Sequence, residues 1–157
     1  MSNTSKPRRR SLGRVIPRLI IGTYFMGHGA QKQFGLFGGH GLEATGAHFE
    51  MLGLKPGSLN AQVAAAGELG GGALLALGVL PTVAGVPLIA TMVVAMRTVH
   101  LEHGPWLANG GFEYNLALIA AVMAIIDANT GSSFKALTAL IGGAAASTAV
   151  IEMGKRS

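Results

Sequence analysis

Apolar residues along this chain come in long blocks, neither alternating nor confined to narrow stripes. The blocks run from Leu12 to about Ala30, from Ala61 to Leu80, from Val83 to Leu101 and from Phe112 to Ile126. The first three are close to the ~20 residues that a helix needs to cross a hydrocarbon core. The fourth, about 15 residues or roughly 23 Å, must thin the bilayer or borrow its flanks. Breakers separate them: Gly35, Gly38, Gly39 and Gly41 after the first, Pro81-Thr82 between the second and third, Gly104-Pro105 after the third. Within the long connection 33–60, Leu42, Thr45, Phe49 and Leu52 recur at helical spacing, with Glu43 and Glu50 elsewhere on the wheel. This predicts a short amphipathic helix outside the spans, on the membrane surface or on the bundle mouth. The pattern predicts an all-α fold, an integral membrane four-helix bundle over 12–128.

Residues 129–157 form a linker and an Ala/Gly-rich helix over Ala136–Ile151, helical in period but poor in large apolar side chains. Two placements are open for it: a helix packed on the inner side or on the bundle, or a fifth span. A fifth span would put Lys155 and Arg156 outside, against the tendency of basic residues to stay cytoplasmic. The first placement is therefore expected.

Composition strengthens the membrane reading. Half of the 157 residues are apolar and 12% are charged, against about 25% in an ordinary soluble domain, and mean hydropathy is +0.47. The 24 glycines suit close helix packing in lipid, and the Gly67/Gly71 pair, extended by Gly70 and Gly72, offers a smooth strip for a neighbouring helix or a second copy. The net charge of +5 does not point to nucleic acid, because the basic residues crowd one end: Lys6, Arg8, Arg9, Arg10, Arg14 and Arg18 precede or open the first block. They read as cytoplasmic anchors in contact with anionic lipid. A multi-pass protein of the inner (plasma) membrane with a cytoplasmic N-terminus follows, residues 1–11 being a disordered basic segment. A twin-arginine or cleaved signal is the alternative for the start, but no small-x-small cleavage site follows Met26, so a retained first span is expected. The absence of cysteine excludes disulfides, thiolate metal ligands and a thiol nucleophile.

Against this background Glu68 is out of place. It lies about a third of the way into an apolar block, where an ionisable side chain costs roughly 2.5–3.5 kcal/mol at the bilayer centre. Such residues usually face a bundle interior or a water-filled cavity and have partners. Up-and-down topology brings the other polar groups to the same, outer side: His28, Gln31 and Lys32 end the first span, Arg97 and His100 lie in the outer half of the third, Glu113 opens the fourth. His28 and Lys32 are four apart and Arg97 and His100 three apart, so each pair shares a helix face. Arg97 and Lys32 are the candidate partners of Glu68 and Glu113. A metal held by His28, His100, Glu68 and Glu113, or a haem between His28 and His100, lacks the expected spacing motif. His40, His48 and His103 fall in outer loops and read as solvated.

These residues resemble the DoxX family of small four-helix membrane proteins. The likeness rests on His28-Gly29-Ala30-Gln31-Lys32, Phe34-Gly35 and the glycine-rich turn, then Phe49, Leu52-Gly53-Leu54, Glu68-Leu69-Gly70-Gly71, Leu77-Gly78, Met92 and His100. It covers about residues 14–128 and does not explain the C-terminal helix. The resemblance implies an inner-membrane location and a redox association, since some relatives are membrane subunits of thiosulfate:quinone oxidoreductases and others associate with oxidative-stress enzymes.

The leading functional expectation is a redox-associated membrane protein that binds a quinone-like molecule in an outer-side pocket formed by His28, Gln31, Lys32, Glu68, Arg97, His100 and Glu113. Lacking cysteine and a dinucleotide fingerprint, it would act with a redox partner protein. The alternatives are a scaffold subunit whose polar cluster only locks the bundle, and a small transporter or proton pathway. Neither catalytic residues nor enzymatic activity are assigned. Topology is checked directly: reporter fusions after Ser58 and Gly110 should read external and one at Thr82 internal, and a cytoplasmic signal from the 33–60 connection would reverse the assigned orientation.

Overall fold

The computed structural model describes residues 12–156; the basic segment expected to be disordered, 1–11, lies outside them. The described chain is a helical bundle without strands. Helix α1 spans Leu12–Phe34, α2 Gly41–Met51, α3 Gly57–Leu77, α4 Pro81–Ala95, α5 Glu113–Thr130 and α6 Ser133–Arg156. Helix α4 continues through a π-helical turn, Met96–His100, and a 3-10 turn, Leu101–His103. The all-α bundle, the short helix after the first long one and the added C-terminal helix are thus as the pattern predicts.

Local chemistry sets the boundaries. Helix α3 stops at Gly78, whose φ of +72° lets its own N–H and that of Val79 bond back to Leu75 and Leu74 at 3.0 and 2.9 Å, a closure that strongly favours glycine. Pro81 then opens α4 where its missing N–H costs nothing. Gly131, at φ +66°, closes α5 in the same left-handed conformation.

The long helices run up and down between two ends. Leu12, the α3–α4 turn and the α5–α6 turn define the near end; the α1–α2–α3 connection, the 101–112 loop and Arg156 define the far end. Helix α1 packs on α3 through residues small enough for backbone contact. A Cβ on Gly22 would come within 2.6 Å of the Gly72 carbonyl, and one on Gly29 within 2.9 Å of the Ala65 carbonyl. On another face of α3, Gly71 lies against Ala84 and Leu88 of α4, and Gly67 against Pro87. Phe25, Leu75, Leu88, Ile89, Val122, Ile126 and Ala139 fill the core between α1, α3, α4, α5 and α6.

Helix α6 does not stay at one end. Ala139 faces Gly85, Gly143 abuts Ile89 and Ala90, Arg97 donates to Thr148, and Gly154 meets the Gly53 carbonyl. The helix therefore runs alongside α4 for the full height of the bundle, about 36 Å for its 24 residues. Of the two placements open from sequence, the helix takes the full-height course that a fifth span would take, not the expected one that leaves four spans. The reason is the row of small residues, Ala139, Gly143 and Ser147, all buried, which seats the helix on α4 despite its terminal charges.

The outside is apolar as well. Ile16, Leu19 and Ile20 of α1, Val63 of α3, Val83 of α4, Leu116 of α5, and Leu137 and Ile141 of α6 are all exposed, an exterior that water does not favour. Two stretches, Pro81–His103 and Ser133–Arg156, are long and apolar enough to cross a membrane.

The glycine contacts give a stability test. Gly71→Leu and Gly22→Leu should each lower the melting temperature in detergent markedly, because a backbone carbonyl stands where the side chain would go. Gly70→Leu, at a position facing open space, should be nearly neutral. Gly78 cannot serve as a neutral control, since its positive φ and the adjoining Arg18 guanidinium both oppose a side chain. Equal, small effects at Gly71 and Gly70 would show that the α3–α4 contact is not close-packed.

Candidate functional site

Because α1 and α3 touch through their backbones, Lys32 at the far end of α1 reaches across to Glu68 of α3. Its Nζ donates to Glu68 Oε2 at 2.6 Å. Glu68 is 1% exposed and the Lys32 side chain 25%, so one partner is sealed in the bundle and the other keeps one side open. Such a pair is strong mainly because its members have little else to bind. One turn before Lys32, His28 Nδ1 and Gln31 Oε1 lie 3.0 Å apart, while Gln31 Nε2 donates to the Phe37 carbonyl at 3.1 Å. Gln31 Oε1 must then accept from His28 Nδ1–H. His28, Gln31, Lys32 and Glu68 thus form one group.

The remaining residues expected at the site are engaged elsewhere. Arg97, on the π-helical turn, donates through Nη1 to Thr148 Oγ1 of α6 at 3.0 Å. His100 Nδ1 donates to the Gly110 carbonyl at 2.7 Å. Glu113 Oε1 accepts from the Leu107 backbone N–H at 2.7 Å, holding the short 3-10 turn of the 101–112 loop. Arg97 ties α4 to α6, and His100 and Glu113 brace the loop. The π-helical register turns Arg97 outward from the bundle, while Thr98 and Val99 line the cavity described next. Among the described residues no group of three or more His, Asp or Glu side chains is arranged to hold a metal.

The Lys32–Glu68 pair borders a cavity of about 430 Å³ between α2, α3, α4 and α6, within the usual range for a small-molecule site. One face of α4 forms its floor through Val86, Ala90, Val94 and Thr98; α6 adds Ala146 and Val150; α2 and the following loop cover it with His48, Phe49, Leu52 and Leu54. Its wall on α3 carries Asn60, 7% exposed, whose side-chain nitrogen is buried with no hydrogen-bond partner. A buried amide donor left unpaired costs about 1–3 kcal/mol, so its place on a cavity wall is informative. A second hollow of about 340 Å³ opens beside α2, lined by Gln31, Gly38, Gly39, His40 and Thr45. Lys32, His48 and Phe49 border both spaces and stand between them.

His48, Phe49 and Asn60 were not among the candidates from sequence. Phe49 was visible as an apolar position of the short helix, His48 as a loop histidine and Asn60 as the polar edge of a span. Only the folding of α2 over α3 makes them one wall. Gly46 packs on Gly57 and Ser58, and Glu50 accepts from the Gly57 N–H at 2.6 Å, which straps α2 down.

The comparisons with known proteins agree with this architecture. The family model DoxX matches residues 13–101, the stretch from α1 through the π-helical turn to Leu101. A protein of Bacillus subtilis (strain 168) named "Putative oxidoreductase CatD" is 36% identical over 126 residues, covering 80% of this chain and 84% of its own length. No solved structure matches.

The geometry names Lys32 rather than Arg97 as the partner of Glu68, and a double-mutant cycle tests that. Glu68→Gln should destabilise by about 3 kcal/mol, because it strands a partly buried ammonium. Lys32→Gln should recover part of this loss when combined with it, whereas Arg97→Gln should simply add. Coupling to Arg97 instead would overturn the pairing.

Proposed function

The chain belongs to the DoxX family, which is membrane-associated, and on that premise we propose that it is a multi-pass protein of the inner membrane, with its N-terminus cytoplasmic, that binds a quinone-like molecule and works with a redox partner protein. The observation that carries this reading is the unpaired Asn60 amide on the wall of an apolar cavity. The nitrogen itself is covered, so in this reading the side chain turns toward the cavity as the ring enters and a ring carbonyl becomes the acceptor it lacks. The apolar lining suits the rest of a lipid-soluble ring. The name of the Bacillus subtilis relative adds weight to a redox role.

In this reading Asn60 orients one carbonyl of the ring, Phe49 offers a face for it to stack on, and Lys32 supplies a cation beside it. Reduction of a quinone takes up two electrons and two protons. The electrons come from the partner protein, since the chain has no cysteine for an iron–sulfur cluster. Protons reach the ring from the hollow beside α2, past His48, and Glu68 holds the Lys32 ammonium in place between the two spaces. Arg97, His100 and Glu113 act at a distance, by fixing the helices and loop that frame the cavity.

The test is the lipid extract of protein purified in mild detergent. A quinone should co-purify near one per chain and fall at least tenfold in Asn60→Leu, with the melting temperature nearly unchanged because that substitution removes an unsatisfied group. No enriched lipid in the wild-type extract, together with no stabilisation by added short-chain quinone, would leave a scaffold whose ion pair only locks the bundle.

A further inference from the structure

The cavity is longer than a ring needs. Its floor follows one face of α4 from Val86 to Val99, 13 residues of rise or about 20 Å. The polar groups gather at the far-end part, where Lys32, His48, Phe49 and Asn60 meet. Toward the near end the lining is Val86, Pro87, Ala90 and Thr91, level with Glu68, whose neighbour Gly67 lies against Pro87. The carboxylate is sealed in at 1% exposure and the Thr91 hydroxyl is engaged by the Pro87 and Leu88 carbonyls, so neither is free to anchor a ligand. Helices α3 and α6 flank this face of α4 from either side without packing on each other as neighbouring helices do, and the cavity-lining Val63 on the α3 rim is exposed. The trough is thus open on its α3 side, along the apolar exterior of the bundle.

We propose that the site takes a single-chain lipid quinone from the side: the ring stops at Asn60 and Phe49, and one hydrocarbon chain lies along α4 between α3 and α6. This rests on the ring-binding reading and adds the tail, its path and its wall. The chain is single because about 430 Å³ is shared between ring and tail. Helix α6 walls the trough on one side through Ala146 and Val150, and its small residues leave the room. Since lipid and trough are equally apolar, the tail gains little from leaving the bilayer. Its role is to guide the ring to the unpaired Asn60 amide and to fix its orientation.

Two photoreactive probes separate the two claims: a benzoquinone with an azide on the ring, and the same ring bearing a decyl chain with a diazirine at its end. The protein is used full-length in lipid nanodiscs, and labelled peptides are mapped by mass spectrometry. The ring probe should label residues 46–64, and the tail probe α4 between 83 and 95 together with α6 between 139 and 150. An excess of unlabelled decyl-quinone should remove both. Ala146→Trp should cut tail labelling at least fivefold while ring labelling stays within twofold; Ala146→Leu, a smaller intrusion, guards against misfolding and should give an intermediate loss. If ring labelling is specific but the tail probe marks the exposed faces of α1 and α5 as readily, the tail path is wrong and the ring site stands. If neither probe labels competitively, the ring site falls with it. Tail labelling that persists unchanged in Asn60→Leu with no ring preference would make the trough a general lipid groove and overturn the proposal.

Discussion

Backbone contact between α1 and α3 is the constraint from which the site follows. Gly22 against Gly72 and Gly29 against Ala65 leave no space for side chains, so the helix axes lie as near as helices can. At this separation a lysine on one helix reaches a carboxylate on the other without leaving the interior. Were the helices held apart by ordinary side chains, Glu68 would face apolar groups alone, and a buried carboxylate without a partner is costly. The ion pair is therefore a product of the glycines as much as of the charges. The same contact fixes Lys32 between the cavity and the hollow beside α2.

Much of this was legible in the sequence. Block lengths and breakers located the helices to within a few residues, because Gly35, Pro81 and Gly104-Pro105 act through backbone geometry that does not depend on tertiary context. The depth of Glu68 flagged the interior, and its cationic partner was one of two named. What spacing could not decide was which of Lys32 and Arg97 points inward. Helical periodicity places Arg97 and His100 on one face, but the π-helical turn shifts the register at that place, and a one-residue insertion into a helix leaves no mark in a hydrophobic pattern. His48, Phe49 and Asn60 were hidden for a different reason. They converge only when α2 folds back, and that depends on Gly46 lying against Gly57, a contact between two residues with no side chain to read.

The C-terminal helix shows how two sound rules can compete. The excess of basic residues at its end argued against a full-height helix, and the small residues along it argued for close packing. Packing on α4 prevails in the fold, where Gly143 meets Ile89 along the buried side and Lys155 is satisfied locally by Glu152 at 2.7 Å. Gly154 then seats the chain end on the loop that covers the cavity, so the last turn of α6 and the roof over Phe49 are mechanically one piece.

The match to the family model ends at Leu101, yet Ala146 and Val150 of α6 supply one wall of the cavity. The residues that the family model matches and the α6 residues that line the trough thus lie in separate stretches of the chain. A chain that keeps the first four helices and exchanges the last changes one wall of the cavity while the ion pair, the roof and the unpaired amide stay untouched. The wall that faces Val86 to Val99 can therefore vary in size without any change in the matched stretch.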